Sequence, residues 1–383
     1  MAPESLTLAN WDLGGEPSAW AYLHAGELFA TTEIPPRRRR AELDRAELAS
    51  VATFPVRAGM TLDEYVAAGP VSGMVVMLGG QIVFERYPRM QPGDRHLLMS
   101  VTKAFTSAVT GILERRGLLD LSRPVDAVLP ELAGSGWAGV TGRDVLDMAS
   151  GIDCPETESS GAYTDPDHPY YRFEASLGWR PGPQTSTYSL VAGLASARAP
   201  GRVYEYTSVD TFVLSWLAER VTGLSFADVL GREIWSAAGF EAPAQLCTSA
   251  SGAPASHGGL SVTLRDLARF GMLFTPSGRL IADAPVISAE DLRRIRPRRD
   301  LSCPEADMTP EATAVYGGVL PPPGRQWSFV TDEGDLFKGG FGGQGLYVSP
   351  GRDLVVAFAG TPDEDGSVNL LRWFSRSLAL SLS

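Results

Sequence analysis

Met99-Ser100-Val101-Thr102-Lys103-Ala104-Phe105 sets a serine and a lysine three residues apart at the start of an apolar helical pattern. Val101, Ala104, Phe105, Ala108 and Ile112 recur at the spacing of one helix face. Ser100 and Lys103 then project from the same side of that helix, within hydrogen-bonding reach. The chain has 33 basic residues, but only two, Lys103 and Lys338, are lysines. Arginine keeps its proton in a protein, whereas a buried lysine can lose it. A chain that writes nearly every cation as arginine yet keeps lysine here points to a position that needs a removable proton. The plain alternative is a bias toward arginine with a leftover lysine.

A serine hydroxyl becomes a useful nucleophile when a base takes its proton, and a neutral amine can be that base. The free N–H groups and dipole of a helix N-terminus also favour negative charge developing at Ser100. Lysine titrates near 10.4, so work at neutral pH requires a depression of about three units, or about 4 kcal/mol. Burial and a second nearby cation are the expected causes.

Outward from this segment, Met74–Leu78 and Gln81–Tyr87 flank Gly79-Gly80, which reads as a β-hairpin with a two-residue turn. A second hairpin, Gly345–Val348 with Asp353–Ala359, turns at Ser349–Arg352. Helical patterns fill the chain between them. Short helices are expected after Thr141, before Gly223, after Ser225, and after the capping-box-like starts Thr263–Asp266 and Ser288–Asp291. Leu371, Phe374 and Leu378 mark a last helix. Residues 1–50, rich in proline and arginine, read as an irregular extension with one short helix near Arg40–Ser50. The stretch Cys154–Arg172, dense in acids, proline and tyrosine, suits a lid.

Strands at both ends with helices between imply one sheet built from both termini and interrupted by a helical lobe. The expected domains are a discontinuous α/β unit of residues 1–99 and 262–383 and an inserted helical unit of residues 100–261. The site is expected in the cleft between them.

The 44% hydrophobic, 20% charged composition is that of a soluble globular protein. Net charge −12 argues against nucleic acid or an anionic membrane as partner. Cys154, Cys247 and Cys303 show neither a metal-ligand spacing nor an even count for a disulfide framework. The first residues lack the basic and apolar regions of a secretion signal, and no apolar run reaches membrane length. The expectation is a cytoplasmic monomer or homodimer with no cofactor and no metal. There is no Gly-x-Ser-x-Gly elbow, no His-Glu-x-x-His metal motif, no phosphate loop and no dinucleotide fingerprint.

Asp94–Lys103 resembles the nucleophile segment of the 6-aminohexanoate-dimer (nylon-oligomer) hydrolases. These belong with family VIII carboxylesterases and class C β-lactamases in the serine β-lactamase/penicillin-binding-protein superfamily. The resemblance runs from Trp20–Glu27 through Val145–Met148, Ser150–Ile152, Gly258–Ser261 and Arg265–Arg269 to Gly343–Pro350. It implies an antiparallel sheet flanked by helices with an inserted helical domain, and a hydrolase acting on an amide or ester through an acyl-serine. An acyltransferase passing the acyl group to an amine or alcohol shares the first half-reaction and stays open. A β-lactamase or D,D-peptidase fits less well, given serine in Tyr206-Thr207-Ser208 and the loss of threonine from the family's Lys-Thr-Gly. A binding or sensor module on the same fold is the remaining alternative.

By the same resemblance, Tyr206 matches the catalytic tyrosine, with Ser208 beside it. Lys338-Gly339-Gly340-Phe341 matches the third motif. The backbone N–H groups of Ser100 and Phe341 would form the oxyanion hole, with Gly340 in the substrate wall. Lys338 either binds a substrate carboxylate or faces solvent. Glu174 falls where an acid meets a substrate amino group, Tyr163 on the lid, and His257 at a pocket-lining position.

Overall fold

A computed structural model describes residues 1–57, 59–303 and 309–382. The first strands, β1 (Thr31–Ile34), β2 (Pro55–Arg57) and β3 (Met60–Thr61), are short. The long hairpin follows as β4 (Val71–Leu78) and β5 (Gln81–Arg86), and then the brief β6 (His96–Leu97). The helical stretch is broken by β7 (Ala244–Cys247) and β8 (Leu260–Val262). The C-terminal part supplies β9 (Phe329–Val330), β10 (Leu336–Gly340), β11 (Gln344–Ser349) and β12 (Leu354–Gly360).

Both anticipated hairpins form. Gly79 and Gly80 take φ values of 57° and 80°, the left-handed pair that a tight β4–β5 turn demands. They join the six-stranded antiparallel sheet β5-β4-β12-β11-β10-β9, built from the two ends of the chain as expected. Its strands are buried on both faces. Val75, Met77, Leu346 and Val355 face one core, and Val76, Tyr347, Val356 and Phe358 face the other. The helix Leu264–Met272 lies so close to the first face that a Cβ on Gly271 would sit 2.4 Å from Val355 Cγ1. The helix Leu371–Ser381 covers the second face through Leu371, Phe374 and Leu378.

The extension assigned to residues 1–50 is more ordered than its sequence suggests. Helices Gly15–Leu23 and Ala25–Leu28 precede β1, and the short helix expected near Arg40–Ser50 forms only at its end, as Ala49–Ala52. The cause is tertiary. Trp11 is fully buried among Tyr22, Phe29 and Trp179, and its indole N–H donates to the Trp179 carbonyl at 2.8 Å. A second sheet, β1-β7-β8-β6, was not foreseen from the sequence. It pairs strands from both sides of the expected domain boundary and delivers β6 to the segment that carries Ser100.

Candidate active site

Leu98 leaves β6 with its N–H on the Leu260 carbonyl at 2.8 Å. Met99 then adopts φ 47°, a left-handed conformation uncommon for a residue with a side chain. This bend turns the chain from strand into the 3-10 turn Met99–Val101 and the helix Thr102–Arg115. Backbone strain of this kind concentrates at functional sites. It holds Ser100 half-buried at the floor of a cleft of about 740 Å³.

Lys103 is fully buried one turn further on. Its Nζ donates to Ser100 Oγ at 3.0 Å, Ser208 Oγ at 2.9 Å and the His257 carbonyl at 3.0 Å. Burial lowers its pKa to about 8, against the opposing pull of Glu156 and Glu174. The expected depression is therefore present, and desolvation is its cause.

The Tyr206 phenol donates to Ser100 Oγ at 2.7 Å. Burial pushes this phenol well above its usual range, with Glu156 adding to the rise, so it stays protonated. Thr207, at the cap of the helix Ser208–Thr222, donates its hydroxyl to the Cys154 carbonyl at 3.0 Å. That bond ties the tyrosine segment to the base of the Cys154–Arg172 stretch.

Lys338 is buried rather than solvent-facing, and it lines the cleft. Its Nζ lies 4.8 Å from the centre of the Tyr206 ring, and Lys103 Nζ lies 5.0 Å from it. Both lysines of the chain thus meet at one phenol. Burial, with Lys103 adding repulsion, lowers the Lys338 pKa well below the ordinary range. Gly340 also lines the cleft, where a Cβ would fall 2.5 Å from the Leu98 carbonyl oxygen. Only glycine lets β10 come this near the Ser100 turn. Phe341 follows, 47% exposed, in the cleft lining. Tyr163 belongs to the same lining, stacked on Phe341 at 6.3 Å.

Three anticipated substrate contacts lie elsewhere. Ser208 is fully buried and serves Lys103 rather than the cleft wall. Glu174 does not line the cleft. It accepts the Tyr170 hydroxyl at 3.0 Å and pairs with Arg180 at 3.3 Å, and Arg180 in turn holds Asp12 through both carboxylate oxygens. Burial works against its charge, but the His257 ring, Arg180 and Tyr170 keep its pKa below the usual carboxylate range. The His257 ring packs at a tilt between Phe173 and Trp179, and its backbone carbonyl serves Lys103. A residue not anticipated from the sequence lies at the cleft. Glu156 lines the cleft beside Ser100 and Tyr206, and its Oε2 accepts the Ser208 backbone N–H at 2.8 Å. Burial raises its pKa, partly countered by Lys103. Reading its segment as a solvated lid hid this residue.

A serine oxygen held between an amine and a protonated phenol, with glycine backbone alongside, can undergo acylation at a polarised carbonyl. A family model for Beta-lactamase matches residues 60–379. The chain belongs to the beta-lactamase family. It is 30% identical over 371 residues to a 6-aminohexanoate-dimer hydrolase of Paenarthrobacter ureafaciens, covering 94% of this chain and 89% of that one. A Bacillus anthracis structure described as a candidate 6-aminohexanoate-dimer hydrolase superposes with TM-score 0.80 at 22% identity, over 100% of this chain and 97% of the other. A family VIII carboxylesterase structure superposes with TM-score 0.56 at 16% identity, over 81% and 92%. This beta-lactamase-family chain is a hydrolase with the antiparallel sheet and flanking helices of that fold.

Proposed function

We propose that this protein cleaves an amide or ester of a small carboxylic acid through an acyl intermediate on Ser100. One observation carries the proposal: Ser100 Oγ is the shared partner of the Lys103 amine at 3.0 Å and the Tyr206 phenol at 2.7 Å, at the floor of a cleft. The His257 carbonyl can only accept, so a neutral Lys103 gives it one N–H and gives another to Ser208 Oγ. The remaining lone pair then points to Ser100. Lys103 takes the Ser100 proton as Oγ bonds to the substrate carbonyl carbon. The resulting oxyanion sits against the backbone N–H groups of Ser100 and Phe341, and a donor of this kind is worth about 3 kcal/mol. Tyr206 hands a proton to the leaving nitrogen or oxygen as that bond breaks, and recovers one from the Lys103 ammonium. Water, activated in the same way, releases the acid and restores the serine.

The similarity to the Paenarthrobacter ureafaciens enzyme supports a linear amide as substrate. The test is Ser100→Ala against wild type on p-nitrophenyl acetate and on a linear amide, with intact mass after a short pulse. Loss of turnover and of the acyl adduct is expected. Full activity in the variant would remove Ser100 from the chemistry. Adding an amine acceptor to the same reaction measures how the acyl group divides between water and transfer.

A further inference from the structure

The backbone that supplies the Phe341 N–H is a poor support for a catalytic donor by itself. Phe341 stands between Gly340 and the pair Gly342-Gly343, and those last two take φ values of 93° and 103°. Glycine leaves a chain unusually free, so an N–H in such a loop keeps its aim only if other groups hold it. The Gly343 carbonyl is held at one end, where Asn369 Nδ2 donates to it at 2.7 Å. The middle is met by Tyr22, on the helix Gly15–Leu23 of the N-terminal extension, ahead of residue 60 where the family match begins. The Tyr22 hydroxyl donates to the Phe341 carbonyl at 3.5 Å. A Cβ on Gly342 would fall 2.8 Å from that hydroxyl, so the loop lies directly against it.

Tyr22 also reaches the other arm of the oxyanion hole. Its ring sits edge-on to His96 at 5.6 Å, and His96 lies on β6, the strand that feeds the Ser100 turn. One side chain thus touches the elements that carry both N–H donors. Tyr22 is itself held firmly: it is fully buried, and Trp11 packs against it at 6.0 Å. Asp12, next in the chain to Trp11, is fastened by Arg180 through both carboxylate oxygens, and the Gly15 N–H donates to the Pro362 carbonyl at 3.0 Å. Burial pushes the Tyr22 phenol well above its usual range, so the hydroxyl stays a donor. A bond of 3.5 Å is long, and it has room to shorten as charge develops on the oxyanion. We infer that Tyr22 is a positioning residue that holds the Phe341 N–H in line with the oxyanion. This rests on the acyl-Ser100 reading.

The experiment compares wild type with Tyr22→Phe, which keeps the ring and loses the hydroxyl. It reads steady-state cleavage of p-nitrophenyl acetate, inhibition by phenylboronic acid, and thermal melting. The boronic acid adds to Ser100 as a tetrahedral anion, so its affinity reports on the oxyanion hole. Rates are expressed per active site, counted with a fluorophosphonate, at a temperature below both melts. In Tyr22→Phe, kcat should fall about two- to tenfold, the range of one neutral hydrogen bond, with KM little changed. The Ki of the boronic acid should rise by a similar factor. Tyr22→Leu, which also takes the ring edge away from His96, should lose more in both. A merely structural role would lower the melting temperature or the count of active sites and leave per-site kcat and Ki unchanged. That result would overturn the inference while Ser100 is still labelled and acylated. A wild-type enzyme that takes up neither the fluorophosphonate nor the boronic acid would refute the Ser100 reading, and this inference with it.

Discussion

The pH dependence of acylation follows directly from the burial of Lys103. With its pKa lowered to about 8, roughly one tenth of the enzyme carries the neutral amine at pH 7 and roughly nine tenths at pH 9. If that amine is the base, kcat/KM for a p-nitrophenyl ester should rise about tenfold between those pH values and then level off. Glu156→Gln sharpens the test. It keeps an acceptor for the Ser208 N–H but removes a negative charge that raises the Lys103 pKa, so the rising limb should move to lower pH. Initial rates at constant ionic strength, corrected for spontaneous hydrolysis, give both profiles. A flat profile across this range, or an alkaline shift in Glu156→Gln, would refute the role given to Lys103. The same group makes a stability prediction of definite sign. Its folded pKa of about 8 lies below the unfolded value near 10.4, so the unfolded chain binds more protons in that window. Its contribution to stability must therefore rise with pH there, by about 3 kcal/mol in all. Denaturant titrations of wild type and Lys103→Met, subtracted, would show the difference.

Tyr206→Phe should leave the fold intact and cut kcat by about 10²- to 10⁴-fold, most severely for amides, whose leaving group needs the proton; comparing ester and amide rates checks it. Gly340→Ala forces a methyl group against the Leu98 carbonyl at 2.5 Å. It should cost about 1–3 kcal/mol of stability and lower ester turnover, read by thermal melts and steady-state rates. Arg180→Met leaves Asp12 and Glu174 without their cation, and the expected loss of about 3–5 kcal/mol is measurable by urea unfolding. Lys103→Arg should be nearly inactive at every pH in the ester assay, because an arginine cannot give up its proton.

The reactive core was legible because it is local or carried by short motifs. Ser100 and Lys103 are joined by helix geometry, and Tyr206-Thr207-Ser208 and Lys338–Phe341 stand out by residue type. The surroundings were not legible in the same way. Glu174 looks available for a substrate amine in the sequence because Arg180, which it shares with Asp12 168 residues away from that arginine, and the His257 ring meet it only in the fold. Glu156 reaches the site only because the chain around Cys154 is fastened to Thr207. The N-terminal helices carry no decisive period of their own and are fixed by Trp11 packing against Trp179. Hairpins marked by Gly79-Gly80 and by the Ser349–Arg352 turn are legible in the sequence, whereas the small second sheet joins strands of two to four residues that no local pattern distinguishes.

The scarcity of lysine has a practical consequence. Lys338 lines the cleft and Lys103 is fully buried beside Ser100, so amine-directed reagents such as activated esters find no lysine on the outer surface to modify or cross-link. The one lysine that such a reagent could meet on entering the cleft is Lys338. A lysine-specific endoprotease, for its part, can cut the unfolded chain only after residues 103 and 338. The appearance of its fragments would report directly on opening of the reactive centre.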